Sequence, residues 1–321
     1  MPAVDLAVAR YRFRLQAETP IRLPAYAGSS WRGVFGHALR HSVCVTRAPT
    51  CDGCLLQGSC VYSVVFQTPA RRDPLLIRVS DAPHPYIIEP LATSGRTFAA
   101  GEPLQVGMVL VGSANAQLPY LVHALQQAGA WGLGRERGHY RLLGVAQERQ
   151  PGAGEWAEIY TGEALQPLPI RKLQAPTLPD TPLQVCFQTP YRGLQQGRLM
   201  RNVAGFRFQA FMTGVLRRIS LLRACHGDGE LALDFRYLRE LAARTPVSGA
   251  QLYWHEWSRY SNRQQRKVQM GGLLGSFRIP SGELEPLWPY LWAGQWVHVG
   301  KGAVMGLGEY SLSPVCIPVA V

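Results

Sequence analysis

Gly300-Lys301-Gly302-Ala303-Val304-Met305-Gly306-Leu307-Gly308-Glu309-Tyr310 decides how this chain is read. The stretch follows a helix-like segment, Leu284 to Ala293, and enters a strand-like end, Tyr310 to Val319. Four glycines and a lysine at the mouth of a strand permit positive φ and let backbone N–H groups approach an anion. A loop that grips a phosphate backbone is one reading, and a tight turn without a ligand is the other. An earlier stretch has the same order of parts. Pro119-Tyr120-Leu121 begins a helix that leads to Gly132-Leu133-Gly134 and then Tyr140-Arg141-Leu142-Leu143-Gly144-Val145. Pro289-Tyr290-Leu291 leads to Gly306-Leu307-Gly308 and Tyr310-Ser311-Leu312-Ser313-Pro314-Val315. The matched order predicts two copies of one βαββαβ unit, an α+β architecture in which each copy closes with helix, glycine turn and strand. Such sheets can present an open face, and that face commonly binds RNA.

Working outward, Tyr11-Arg12-Phe13-Arg14-Leu15 alternates as a half-exposed strand. Gly28-Ser29-Ser30 opens a helix with Ser30 as expected N-cap, and Trp31, Val34, Phe35, Ala38 and Leu39 form its core stripe. Strands are expected at Val61 to Phe66, Tyr86 to Glu89, Leu104 to Val111 and Tyr140 to Ala146, with a helix at Leu118 to Ala128. The Pro- and Gly-rich stretch Gln150 to Pro182 marks the boundary. This gives a first domain over 1–165 carrying a cysteine-rich insertion (44–60), a linker over 166–182, and a second domain over 183–321 containing the loop at 300–308. In the second, strands are expected at Leu183 to Gln188, Gln251 to Trp257, Val268 to Leu274 and Ser276 to Ile279. Helices are expected at Gly205 to Cys225 and Asp234 to Arg244.

The chain has 321 residues, 47% of them hydrophobic, enough for one large or two ordinary cores. No apolar run approaches the roughly 18 residues of a membrane span, and Met1 to Arg14 lacks the apolar stretch of a secretion signal. A cytoplasmic location is the expectation. Net charge is +12, from 30 arginines and only Lys172, Lys267 and Lys301 against 21 acidic residues. Arginine forks onto phosphate and stacks on bases, so the balance fits a polyanion. A GC-rich genome would also favour arginine over lysine, but does not explain the excess of base over acid.

Four of the seven cysteines, Cys44, Cys51, Cys54 and Cys60, fall within seventeen residues in a C-x6-C-x2-C-x5-C spacing. In a cytoplasmic chain this points to metal rather than disulfides. A structural tetrahedral Zn²⁺ is the leading reading, with an iron–sulfur cluster and a loop of reduced thiols as the alternatives. Cys186, Cys225 and Cys316 read as core residues.

At several places the sequence resembles the CRISPR-associated endoribonucleases that process precursor crRNA, members of the RAMP superfamily. The glycine loop Gly300 to Gly308 is similar to the superfamily signature. Trp257-Ser258-Arg259-Tyr260-Ser261-Asn262-Arg263-Gln264 with Gly271-Gly272-Leu273-Leu274-Gly275 resembles the family's C-terminal region, as does Phe187-Gln188-Thr189-Pro190-Tyr191-Arg192. So does Trp31-Arg32-Gly33-Val34-Phe35-Gly36-His37-Ala38-Leu39-Arg40 with its trailing cysteines. The resemblance implies two tandem ferredoxin-like (RRM-like) domains. It also implies metal-independent cleavage of CRISPR repeat RNA by attack of the RNA's own 2′-hydroxyl. The products would be a 2′,3′-cyclic phosphate and a 5′-hydroxyl. The mature crRNA would stay bound and join other Cas effector subunits.

Such a reaction needs a base, an acid and a cation at the phosphorane. His37 is the candidate for proton transfer, because it lies off the core stripe and the family places a catalytic histidine in or near this helix; a surface histidine is the competing reading. Tyr26, before the helix, could orient the 2′-oxygen or simply pack. Arg40 and Lys301 are candidates to steady the phosphorane. His298 is a rival from the second domain, on a strand pointing opposite to Val297 and Val299. His41 reads as a packing residue and His255 as structural. Candidate RNA contacts are Arg259, Arg263, Arg266 and Lys267 among aromatics, Arg192, and Gly300, Gly302, Gly306 and Gly308. Two other functions fit the same charge. One is a non-catalytic RAMP-type subunit that binds crRNA in an effector complex. The other is a zinc-stabilised DNA-binding factor.

Overall fold

Alternation in the first strand fixes the first core. A computed structural model describes residues 4–69, 82–195, 197–229, 231, 233–261 and 266–315. In β1 (Ala7–Ala17) Tyr11, Phe13 and Leu15 are fully buried, while Arg10, Arg12 and Arg14 point to the opposite face. Two helices pack on the buried side, α1 (Gly28–Val43) and α2 (Leu118–Trp131). The partner strands are β2 (Tyr86–Glu89), β3 (Pro103–Val111) and β4 (Tyr140–Glu148), all antiparallel in the order β2-β3-β1-β4. That order, with β1-α1-β2-β3-α2-β4 along the chain, is the ferredoxin-like fold. A further strand, β5 (Trp156–Tyr160), extends the sheet beyond β4, and Arg171–Lys172 pairs with Ala7–Val8.

The second sheet repeats the plan. Its strands are β6 (Leu183–Tyr191), β7 (Ser248–His255), β10 (Gly272–Ile279) and β11 (Tyr310–Pro314), in the order β7-β10-β6-β11. Between β7 and β10 runs the hairpin of β8 (Ser258–Ser261) and β9 (Arg266–Gln269). The helices are α3 (Phe208–His226), α4 (Phe235–Arg244) and α5 (Trp288–Val297). Phe211 is the hub of the core, with its ring 5.6 Å from Phe187 and 5.1 Å from Tyr310. Two compact units result. One holds Leu6–Leu173 with Leu221–Glu230, and the other Met1–Asp5, Gln174–Ser220 and Leu231–Val321.

The two closing segments share their chemistry. In the first unit the Tyr140 hydroxyl donates to the Leu125 carbonyl of α2 at 2.9 Å. In the second, the Tyr310 hydroxyl donates to the Leu291 carbonyl of α5 at 2.5 Å. Each helix has a glycine facing that tyrosine: a Cβ on Gly129 would come 2.0 Å from the Tyr140 carbonyl oxygen, and one on Gly294 2.2 Å from the Tyr310 hydroxyl. Leu133 and Leu307, central in the Gly-Leu-Gly turns, are both buried.

Some local expectations give way. Val61 to Phe66 is helical, ending in a π-turn at Ser63–Gln67, although its β-branched run suggested a strand. Tertiary contacts override propensity there: the Phe66 ring seats on Gly36, where a Cβ would approach to 2.2 Å, and stacks near Tyr62 and Tyr86. Ser30 is not the N-cap, because α1 already begins at Gly28 after Ala27, without a side-chain cap. The backbone N–H of Ala27 instead donates to Ser94 Oγ at 3.0 Å. The expected strand Val268 to Leu274 is divided between β9 and β10. The far end of the expected last strand, with Cys316, lies outside the described residues.

Gly308 combines φ +70° with a Cβ position only 1.8 Å from the Val299 carbonyl oxygen. Gly308→Ala should therefore destabilise the second unit by about 2 kcal/mol or more, read as a lowered urea midpoint. A midpoint equal to the parent chain's would remove the packing explanation for this glycine.

Candidate functional site

The α1 helix turns one row of residues outward. His37 and His41, one turn apart, are exposed, while Trp31, Phe35, Ala38 and Leu39 are buried. Trp131, at the end of α2, packs edge-on against both imidazoles, with ring centroids at 5.0 Å for His37 and 4.7 Å for His41. His41 thus packs on an aromatic neighbour rather than on the core. Trp131 had no motif to announce it; only the packing of α1 on α2 brings it to His37. Tyr26 is half-buried on a loop that is stitched to its neighbour, Gly95 N–H donating to the Pro24 carbonyl at 2.7 Å and Leu23 N–H to the Arg96 carbonyl at 2.9 Å.

Arg40 is engaged within the chain. Its guanidinium donates to the carbonyls of Ala48 (2.5 Å) and Pro49 (2.9 Å) and lies 5.9 Å from the Tyr62 ring centre. It binds the cysteine loop to α1. Cys44, Cys51, Cys54 and Cys60 line one cavity with Thr46, Gln57 and Tyr62. The Thr46 hydroxyl lies 3.6 Å from Cys54 Sγ and 4.0 Å from Cys44 Sγ. Burial, against the charge of Arg40 and with the other three cysteines adding to it, pushes the Cys51 thiol up. For Cys44 a burial cost is outweighed by hydrogen bonds from the Arg47 backbone, Thr46 and Arg40, and its thiol is lowered. Among the described residues, no three His, Cys, Asp or Glu side chains already stand in metal-binding geometry.

The arginines of β1 are also matched within the first unit. Arg10 pairs with Glu89 and Glu148, both at 3.2 Å, and Arg14 pairs with Glu158. Burial alone would lower the Arg10 guanidinium, but the two carboxylates outweigh it and raise it. Arg12 stacks 3.8 Å over Trp156. On this sheet face Arg10 and Arg14 are thus taken up by carboxylates and Arg12 by an aromatic ring.

In the second unit the glycine loop is held by its own backbone. Lys301 N–H donates to the Arg192 carbonyl at 2.9 Å, Gly306 N–H to Ala303 at 2.9 Å and Gly308 N–H to Pro190 at 3.2 Å. Gly300, Gly302, Gly306 and Gly308 all have positive φ. A Cβ on Gly300 would lie 2.7 Å from the Arg192 carbonyl oxygen, and one on Gly302 2.8 Å from Leu307. Close packing accounts for Gly300, Gly302 and Gly308 and positive φ for Gly306, and the loop offers solvent the exposed Lys301. Arg192 is not a surface contact: it is 9% exposed and donates to the Gly271 carbonyl at 2.8 Å. His298 is not on a strand facing outward. It follows α5 with φ +53° and is 1% exposed, buried like Val297 and Val299. On the hairpin, Arg259 is opposite Val268, Lys267 opposite Tyr260 and Arg266 opposite Ser261. Arg263 lies outside the described residues.

Two successive ferredoxin-like units, the second with a glycine loop before its last strand, define a tandem ferredoxin-like protein. Residues 6–174 match a family model described as an N-terminal domain, and residues 185–310 match the model for the CRISPR-associated endoribonuclease Cas6. The Cas6 match thus falls on the second unit, and the tandem fold of the chain is similar to that of solved Cas6 structures. A partial Cas6-RT-Cas1–Cas2 complex is similar at 15% identity and a TM-score of 0.59, over 98% of this chain and 47% of that one. Thermus thermophilus Cas6 is similar at 14% identity and a TM-score of 0.55, over 96% of this chain and 99% of that one. A curated relative, an uncharacterized protein of Archaeoglobus fulgidus, is 25% identical over 143 residues, 44% of this chain and 46% of its own length. The chain spans about half the length of that relative and of the first of these complexes. No helix among the described residues is long and apolar enough to cross a membrane.

Removing the Arg192 side chain should weaken the fold of the second unit, because it strips a charged donor from a buried carbonyl. Arg192→Met should cost about 2 kcal/mol in urea denaturation. A variant as stable as the parent chain would return Arg192 to the list of surface contacts.

Proposed function

We propose that this protein is a metal-independent endoribonuclease that cuts CRISPR repeat RNA to produce mature crRNA. The observation that carries this reading is an exposed histidine, His37, held against Trp131 on the first helix of a Cas6-like tandem fold. His37 transfers a proton during attack of the 2′-hydroxyl on the adjacent phosphorus. As the P–O5′ bond breaks, the leaving oxygen takes up a proton, and the products are a 2′,3′-cyclic phosphate and a 5′-hydroxyl. Tyr26 orients the 2′-oxygen, and Lys301 meets a phosphate of the RNA. Arg40 is assigned a positioning role instead, since its guanidinium holds the Ala48 and Pro49 carbonyls behind the His37 helix. Arg259, Arg263, Arg266 and Lys267 contact the RNA. The crRNA stays bound and is passed to other Cas subunits in the cytoplasm.

His37→Ala should slow cleavage of labelled repeat RNA at least about a hundredfold while leaving its affinity unchanged. Cleavage by the parent chain should proceed at full rate in EDTA. Tight binding without scission under both conditions would overturn the enzyme and leave the non-catalytic crRNA-binding subunit in its place. Equal competition by duplex DNA would point to the DNA-binding alternative.

Trp131 is a positioning residue in this scheme. Trp131→Leu should lower the cleavage rate by about tenfold or more and displace the pH–rate profile, with RNA affinity retained. An unchanged rate and profile would mean that the aromatic contact has no part in aligning His37.

A further inference from the structure

The segment between Cys44 and Cys60 has almost nothing apolar to hold it. Val45 and Leu55 are exposed, at 81% and 99%, and Leu56 at 38%. Cys51 alone among the apolar residues of this stretch is buried. Yet both ends of the loop are firmly placed. Cys44 leaves the last turn of α1, its N–H donating to the Arg40 carbonyl at 2.9 Å. Beyond Cys60 the chain returns to α1 through Phe66, whose ring sits on Gly36 and under the Arg32 guanidinium at 4.4 Å. Within the loop, short turns bring the thiols inward. Cys54 N–H donates to the Cys51 carbonyl at 3.2 Å, with Gly53 between them at φ +73°. Cys60 N–H donates to the Leu56 carbonyl at 2.7 Å. All four cysteines line the resulting cavity. Small modules that cannot bury a core need a covalent or metal staple.

We propose that Cys44, Cys51, Cys54 and Cys60 bind one Zn²⁺ as a closed tetrathiolate site. A tetrahedral Zn²⁺ takes four sulfurs at about 2.3 Å, a set that leaves no position open for substrate and so defines a structural site. The thiols surround one space without yet converging in ligand geometry. Binding draws the four sulfurs together about the metal, and each bound thiol gives up its proton. The glycine between Cys51 and Cys54 supplies the left-handed turn that a two-residue spacing between ligands needs. Arg40 lies beside the set, its donors on the Ala48 and Pro49 carbonyls, and its charge offsets part of the negative charge of four thiolates. The staple fixes the C-terminal end of the helix bearing His37, without touching RNA.

The test uses the full-length protein and does not depend on cleavage. Elemental analysis of the purified protein should find close to one zinc per chain. The Cys51→Ser/Cys54→Ser double variant should lose it, and Cys186→Ser should keep it. Replacing the metal with Co²⁺ should give the visible absorption and thiolate charge-transfer bands of a tetrahedral tetrathiolate. Stripping zinc with a chelator should expose four thiols to a thiol reagent and open residues 44–60 to protease, while the far-ultraviolet circular dichroism persists. Protein free of zinc, with these thiols equally reactive before and after chelation, would overturn the proposal. Bound iron and sulfide in place of zinc would overturn it too.

Discussion

A tyrosine hydroxyl buried at the start of each closing strand is the contact on which both units depend. Tyr140 and Tyr310 each reach back to a carbonyl of the preceding helix, Leu125 and Leu291. Burial raises both phenols far above their ordinary range, so they remain donors. A helix carbonyl accepting a second bond in the interior fixes the rise of the last strand relative to the helix. The glycine on that helix, Gly129 or Gly294, gives the strand room to come close. Because a one-residue slip would turn every side chain of the strand to the wrong face, this bond also fixes register. The same device in both halves is the strongest physical sign that one unit was used twice.

Much of this was legible in the sequence because it rests on local periodicity. The alternation in Tyr11 to Leu15 and the order of helix, Gly-Leu-Gly and tyrosine are properties of short segments, and they specified β1 and the twin βαββαβ plan. The exposure of His37 also followed from helical spacing. What sequence missed depends on contacts between distant segments. The run Val61 to Phe66 has strand composition, yet Gly36 provides a seat for Phe66 that favours a helical return. His298 alternates with two valines in sequence, but α5 ends one residue earlier and His298, at positive φ, is buried with them. Trp131 stands near His37 only through the packing of one helix on another.

Charge tells a similar story. A net charge of +12 is a property of composition and attracts polyanions at a distance. It does not say which arginines meet them. Arg10 and Arg14 face carboxylates, Arg12 lies on Trp156, Arg192 supports Gly271, and Arg218 donates to Val297 with burial drawing it down to about 10. These side chains hold the fold. Counting arginines therefore overstates the surface left for phosphate.

The glycine loop shows how a motif can be conspicuous for a reason other than the obvious one. Its four glycines suggested backbone donors turned toward phosphate. In the fold, the amides of Lys301, Gly306 and Gly308 are already bonded within the chain, and the missing Cβ atoms let Val299 and Arg192 come close. The loop is a packed bracket, and its backbone bonds hold the exposed Lys301 in place. A cation on a mobile loop must be ordered at each encounter, whereas one on a packed turn meets the phosphate already placed. The first unit places His37 by the same means, between Gly36 under Phe66 and the edge of Trp131. In both units glycines remove backbone freedom rather than supply it: Gly36 seats Phe66 beside His37, and Gly300, Gly302 and Gly308 admit the packed neighbours of the Lys301 turn.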